Sequence, residues 1–405
     1  MTKKLKSHFL PDSGAKAFFI SIIVWGIGIG CFSSSLNNYL SDIHGFNELQ
    51  RGWLEFFREI PGFLLVFILA ALHKTSDWKV LRIGTVISLV GAIALLIPSD
   101  KIFLTLFIVI WSTGEHLVMP IRSSIAMQVA HNDKAGRSLG LVTSAMNAGT
   151  VAGSIIVALI FWTGIKVFGC QSKVFLFNTV WALIAILMLV SIVCTFTKNA
   201  PTKTGKRPRL LFKKKFSKFY ILELFYGARK QIFITFAPFL LIIEYGFSTS
   251  AIAALMAVCA FVNIFASPWI GKLTDKFGYK NIMIYDTVIL FFVCLMYGYA
   301  GEIFAFEVAK IVLCVNFLLD MVISTTSMAT SIYVRDISKS KEEVTSALSS
   351  GISVNHIISI LAAPLGGWIW HTWGIGLLFS FAAIMALLNS AFALTLPNPK
   401  KLKQS

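Results

Sequence analysis

Four otherwise apolar stretches carry acids and bases close together: Glu55, Arg58 and Glu59; Glu115, His116 and Arg122; Glu223, Arg229 and Lys230; Glu307, Lys310 and Asp320. Such groups can hold a charged solute, pass a proton or neutralise one another. On a helix, a separation of seven residues is two turns, so Glu115 looks the same way as Arg122 and Glu223 the same way as Lys230. Arg229 points about 100° away from Lys230. Glu55 and Glu59 are one turn apart with Arg58 adjoining, a trio able to neutralise itself in part. Glu307 and Lys310 read as an interfacial pair, and Asp320, Ser324, Ser327 and Ser331 form a polar stripe. Ser33, Ser34, Asn37, Asn38, Asn147 and Asn355 add uncharged polar groups. His116 and His356 titrate near neutrality and can either carry a proton or sit hydrogen-bonded. Trp25, Trp111 and Tyr226 could stack on a ring, whereas Trp53, Trp368, Trp370 and Trp373 read as interfacial anchors.

These groups must be positioned by elements that cross a bilayer. The 405-residue chain is 56% hydrophobic and 14% charged, with a mean hydropathy of +0.77. Soluble domains carry roughly a quarter charged residues. The apolar residues fall in blocks of about 20, enough for a helix to span a hydrocarbon core of about 30 Å. Twelve helices are expected, near 16–38, 48–72, 80–98, 102–129, 138–163, 174–197, 218–243, 249–270, 281–300, 304–332, 343–370 and 374–396. The first apolar run has no small-residue cleavage site and is expected to be retained.

The net charge of +17 is not a nucleic-acid footprint, because its bases lie in the loops between spans. Lys3, Lys4, Lys6, Lys74, Lys79, Arg82, Lys134, Arg137, Lys400, Lys401 and Lys403 fall on one side. Arg51, Lys101, Lys166 and Lys173 fall on the other. By the positive-inside rule both termini face the cytoplasm. Residues 198–218 hold nine bases and two prolines, a composition that cannot bury a core but suits anionic headgroups. The expected division is 1–197, a basic linker 198–217, and 218–405. The six cysteines are scattered, with no CxxC pair, and indicate neither a disulfide framework nor a metal site.

Between the eighth and ninth spans runs GKLTDKFGYKN, Gly271–Asn281, with Gly271, Asp275, Lys276, Gly278 and Lys280 in register. This stretch closely resembles the loop signature of the major facilitator superfamily of secondary transporters. Its first-half counterpart, ALHKTSDWKV, has Lys74 in place of Asp275 and Asp77 in place of Gly278. Gly140, Gly149 and Gly153 resemble the family's fifth-helix antiporter spacing without the proline and glycine that should follow; close helix packing is the other reading. Gly114 and Pro120 match its fourth-helix spacing, but Phe107–Thr113 lacks the arginine of proton-coupled drug exporters.

The resemblance implies an all-α membrane protein, two pseudo-symmetric six-helix bundles with a solute site near the midplane. Spans three, six, nine and twelve would be outer supports. Asp286, near the start of span nine, is the exception to their lack of charge. It further implies that Asp275 holds a cytoplasmic gate shut through Arg335 and the start of span five near Arg137. The expected activity is transport, not catalysis, without cofactor or metal, by a monomer among membrane lipids. The solute would be a small polar organic molecule, anionic or zwitterionic, with proton coupling through Glu115, Glu223 or Asp320. Asn37, Arg58, Glu115, Arg122, Glu223, Arg229, Lys230, Asp320, Asn355 and His356 are the candidate binding or coupling residues. An exporter of lipophilic compounds, and a transporter-like receptor that moves nothing, are the alternatives.

Overall fold

The computed structural model describes residues 14–129, 135–196 and 212–397. Lys3, Lys4, Lys6, Lys134, the terminal Lys400, Lys401 and Lys403, and most of the 198–217 linker lie outside these residues, as does the Arg137 side chain. All regular structure among the described residues is helical. The helices are α1 (Ala15–Asp42), α2 (Glu48–Ala71), α3 (Asp77–Ala94), α4 (Lys101–Gln128), α5 (Ala135–Lys166) and α6 (Lys173–Thr195). They continue with α7 (Ser217–Ile243), α8 (Thr249–Phe277), α9 (Tyr279–Ile303), α10, α11 (Lys341–Trp373) and α12 (Ile375–Leu394). α10 comes in two pieces, Phe306–Ser324 and Met328–Ile337, joined by the 3-10 turn Thr325–Ser327.

Local sequence sets the helix ends. Asp100 Oδ1 accepts the Ile102 and Phe103 amides at 2.9 Å each and starts α4. Ser340 Oγ accepts the Glu343 amide at 3.2 Å and starts α11, half of the reciprocal bonding that an S-x-x-E pattern allows. The expected eleven-residue loop Gly271–Asn281 is almost entirely helical. Its turn is one residue, Gly278, at φ 80 and ψ 153, a conformation essentially reserved for glycine. Gly374, at φ 90, makes the same one-residue turn between α11 and α12. The break in α10 also has a local cause. Ser324, Thr325 and Thr326 each turn a hydroxyl back onto the carbonyl three residues earlier, at 2.7 Å, which tightens the helix there.

Among the described residues, nine helices are long and apolar enough to cross a membrane. The others, α2, α3 and α10, fall short because of interior charge: Arg51, Glu55, Arg58 and Glu59; Asp77, Lys79 and Arg82; Glu307, Lys310 and Asp320. Large apolar side chains such as Phe67, Phe265, Phe292 and Ile311 are exposed, which suits a hydrocarbon solvent and not water.

The chain forms two compact units. The first takes in Met1–Gly45, Arg58–Arg207 and Ser248–Ala260; the second takes in Phe46–Phe57, Pro208–Phe247 and Phe261–Ser405. In the first, α1 packs on α5 and α6, and α3 packs on α4. Lipid is as apolar as the side chains it touches, so helix association in a membrane rests on close packing. Gly26, Gly30, Gly149 and Gly153 supply it: a Cβ on Gly153 would lie 2.1 Å from the Ile27 carbonyl oxygen, and one on Gly30 2.2 Å from that of Thr150. Gly140 has open space around it and takes no part. Trp25 and Trp111, read from sequence as possible stacking platforms, are buried and stack on each other at 6.1 Å, with Phe32 on Trp111 at 4.5 Å. In the second unit α9 packs on α12 and α7 on α11. Trp370, expected as an interfacial anchor, is instead buried edge-on to Phe236 and Phe239.

Candidate functional site

In the first unit the charged groups converge on Arg58. Its guanidinium lies 3.2 Å from Glu59 and 3.9 Å from Glu115, which joins α2 to α4. Its backbone carbonyl accepts Ser112 Oγ at 2.6 Å. His116 Nδ1 sits 2.8 Å from the Ser112 carbonyl, so its ring is tied to the backbone one turn back. Arg122, half-buried, is in electrostatic reach of Glu115 but makes no hydrogen bond or ion pair among the described residues. Asn37 is buried in α1, and Asn147 is exposed on α5.

The second unit holds two polar clusters. Asn355 bridges the first, with Lys230 Nζ 3.4 Å from its Oδ1 and its Nδ2 3.5 Å from Glu223 Oε2; Thr330 Oγ1 lies 3.3 Å from Glu223 Oε1 and 2.7 Å from the Ser327 carbonyl oxygen. Glu223 and Lys230, two turns apart, do share a face. No carboxylate comes within ion-pair distance of Lys230 among the described residues. In the second cluster Arg229 meets Asp320 at 3.0 Å, flanked by the Tyr226 and Phe233 rings at 5.7 Å. Asp286 lies beside it, in electrostatic reach of Arg229 and bonded to Thr326. His356 is buried in α11. Glu307 and Lys310 form the expected surface pair at 3.1 Å.

The expected gating stretch is helical on either side of its turn. Gly271 lies inside α8, and Asp275 is exposed, with no ion pair or hydrogen bond among the described residues. Arg335 is engaged by its neighbour Asp336, with Nε at 3.0 Å and Nη2 at 2.8 Å. Lys276 lies over the Phe277 ring at 5.3 Å. Lys280 reaches the far end of the unit's last helix, where Nζ donates to the Leu394 carbonyl at 2.6 Å and that of Leu396 at 3.0 Å. In the first half, Asp77 is buried in the first turn of α3, where the helix dipole favours an anion. It accepts Ser124 Oγ and Gln128 Nε2, both at 2.5 Å.

Some buried or cavity-lining polar groups escape sequence reasoning. Arg51, counted as a loop base, is 2% exposed inside α2 and bonded to Glu55 at 2.7 Å; the i, i+4 spacing was the available signal. A cavity of about 710 Å³ at one end of the second unit is lined by Glu48, Glu244, Glu302, Tyr299, Trp370 and His371. His371 Nδ1 lies 3.3 Å from Glu48 Oε2 there. Burial pushes the Glu244 carboxyl up, a Trp370 hydrogen bond opposes this, and the Glu48 charge adds to it. These residues come from three different helix ends and a loop, so no local pattern announces them.

A sequence profile of the Major Facilitator Superfamily matches residues 17–332 and 224–405. The chain belongs to the major facilitator superfamily. As a superfamily member it is a multi-pass membrane transporter of small molecules. Among solved structures it resembles the nucleoside transporter NupG, with a TM-score of 0.73 at 14% identity, covering 95% of this chain and 99% of that one. It also resembles a POT family transporter in complex with 5-aminolevulinic acid, with a TM-score of 0.73 at 14% identity and 96% of each chain covered. A bacterial homolog of the human lysosomal transporter Spinster, in an inward-facing, unoccupied conformation, matches with a TM-score of 0.65 at 16% identity over 95% of each chain. Comparison with curated protein sequences found no match. At these identities the likeness is one of fold, and the superfamily's all-helical, twelve-span plan is the one observed.

Proposed function

We propose that this superfamily member carries a small anionic or zwitterionic organic solute across the cell membrane by alternating access, coupled to protons. The observation that carries this reading is the state of Lys230. Arg229 is neutralised by Asp320 and Arg58 by Glu59, but Lys230 has only the Asn355 amide oxygen and the more distant charge of Glu223. A base kept inside a membrane helix without an ion-pair partner is costly unless an anion visits it. Arg122, in the first unit, is a second base of this kind. A structural neighbour bound to 5-aminolevulinic acid, a compound with both a carboxyl and an amine, is consistent with a solute of this size and charge. Both termini lie in the cytoplasm, and the protein works as a monomer whose bundles, 1–197 and 218–405, are joined by the 198–217 linker at anionic headgroups.

A thermal-shift screen of purified protein against organic anions, amino acids, peptides, nucleosides and sugars finds the solute, and proteoliposome uptake then tests the reading. Lys230→Gln and Arg122→Gln should each abolish uptake of an anionic solute. A neutral or lipophilic solute taken up equally well by both variants overturns it. For coupling, uptake should follow an imposed pH gradient, and at least one of Glu115→Gln, Glu223→Gln and Asp320→Asn should remove that dependence. Indifference to the gradient in the wild type excludes it.

A further inference from the structure

The hydroxyl of Thr326, at the 3-10 break in α10, lies against two acceptors at once. It is 2.7 Å from the Ile323 carbonyl oxygen and in hydrogen-bond contact with Asp286 Oδ2. A hydroxyl carries one hydrogen. If that hydrogen goes to Ile323, as Ser324 and Thr325 send theirs to Met321 and Val322, the contact with Asp286 needs a hydrogen of its own. The one place it can sit is the carboxyl. Asp286 then donates to Thr326, Thr326 donates to Ile323, and each of the two hydrogens has an acceptor. No side-chain donor reaches Asp286 Oδ1, which is buried. A charged carboxylate in that place would have the Thr287 backbone amide and the Arg229 charge, but no further side-chain donor, in exchange for the water it loses.

We propose that Asp286 is a proton-binding carboxyl whose charge state sets the hydrogen bonding of the α10 break. Losing its proton to water, Asp286 becomes an acceptor only, takes the Thr326 hydrogen and releases the Ile323 carbonyl. The charged groups around it are Arg229 from α7 and Asp320 from α10, which are paired at 3.0 Å. The neighbouring α12 has no charged residue between Ile375 and Leu394, and meets this part of α9 through the Ser390 hydroxyl on Thr287. Once ionised, Asp286 competes with Asp320 for Arg229, which is in electrostatic reach of both. One proton thereby changes the hydrogen bonds of the break and the balance of an ion pair on the same helix. A mid-helix 3-10 segment is a common place for a hinge. This deepens the proton coupling proposed above and supplies it with a residue on a helix read from sequence as an outer support.

Difference infrared spectra of the purified wild type between about pH 5 and about pH 9 should contain a protonated-carboxyl C=O band that shifts in heavy water. Asp286→Asn should lose that band, and Glu302→Gln, which removes a distant exposed carboxyl, should keep it. Amide hydrogen-exchange protection over 323–327, corrected for intrinsic rates, should fall about tenfold from low to high pH in the wild type. Asp286→Asn, whose amide can still donate to Thr326, should hold the low-pH protection at both. Thr326→Val should keep the band but lose the pH dependence, and it decides the matter alone if Asp286→Asn fails to fold. Absence of the band in the wild type, its survival in Asp286→Asn, or pH-independent protection in the wild type overturns the proposal. None of these readouts needs a solute. Failure here therefore leaves the transport reading standing, and uptake indifferent to a pH gradient leaves the hinge standing.

Discussion

Lys280 Nζ donates to the carbonyl oxygen of Leu394 at 2.6 Å, closing the C-terminal end of α12 from a residue 114 positions earlier in the chain. The last carbonyls of a helix have no partner within it and carry the negative end of its dipole. Lys218 Nζ on the Thr395 carbonyl at 2.6 Å and the Tyr279 hydroxyl on that of Pro397 at 2.9 Å complete the set. Lys280→Met should lower stability by about 1 kcal/mol, read as an earlier midpoint in denaturant unfolding in mixed micelles. Hydrogen exchange should rise in the last turn of α12 and not in the first turn of α9.

Gly278 and Gly271 share a stretch of sequence but not a physical role. At φ 80 and ψ 153 an alanine at 278 is strained, so Gly278→Ala should cost about 1–3 kcal/mol. Gly271 is helical, and a Cβ there would meet only Met328 Sδ at 3.8 Å. Gly271→Ala should be neutral or slightly stabilising in the same unfolding assay.

The α5 glycines divide the same way. A Cβ on Gly153 would run into the Ile27 backbone at 2.1 Å, whereas one on Gly140 would meet nothing within 4 Å. Gly153→Ala should therefore destabilise by about 1–3 kcal/mol, and Gly140→Ala should raise stability by roughly 0.5–1 kcal/mol. Thermal midpoints of the two variants moving in opposite directions is the expected result.

Glu343 gives the first turn of α11 a defined acid response. Lys215 Nζ at 2.6 Å, the Lys339 amide at 2.7 Å and Lys213 Nζ at 3.0 Å hold its carboxyl down at about 2, against an ordinary 4.5. A depressed value means that the stabilisation is fully present above about 4.5 and is lost as pH falls toward 2. Exchange protection in the first turn of α11 should fall through that window, and Glu343→Gln should remove the step.

The helices were legible because membrane spans announce themselves by length and hydropathy, and ten of the twelve ran close to expectation, the tenth being broken at Thr325–Ser327. The eighth ran on seven residues further, to Phe277, because Lys272, Asp275 and Lys276 look like loop residues yet are good or acceptable helix formers on an exposed face. Within one helix, spacing was informative: Glu223 and Lys230 do share a face. Between helices it was silent. Nothing in the order of residues shows that Arg229 of α7 meets Asp320 of α10, or that Arg58 of α2 reaches Glu115 of α4. Such pairs are fixed by rotations of whole helices about their axes, which a one-dimensional pattern does not record.

The turn at Gly278 also bears on how movement travels through the second unit. A connector of many residues absorbs a twist by spreading it over many bonds; a single residue has two to offer. A rotation or tilt of the end of α8 is therefore handed to α9 almost undiminished, as through a short rigid coupling. Asp286 sits two turns beyond that coupling. Lengthening it by inserting two or three glycines after Gly278 would leave every side-chain contact in place while giving the joint slack.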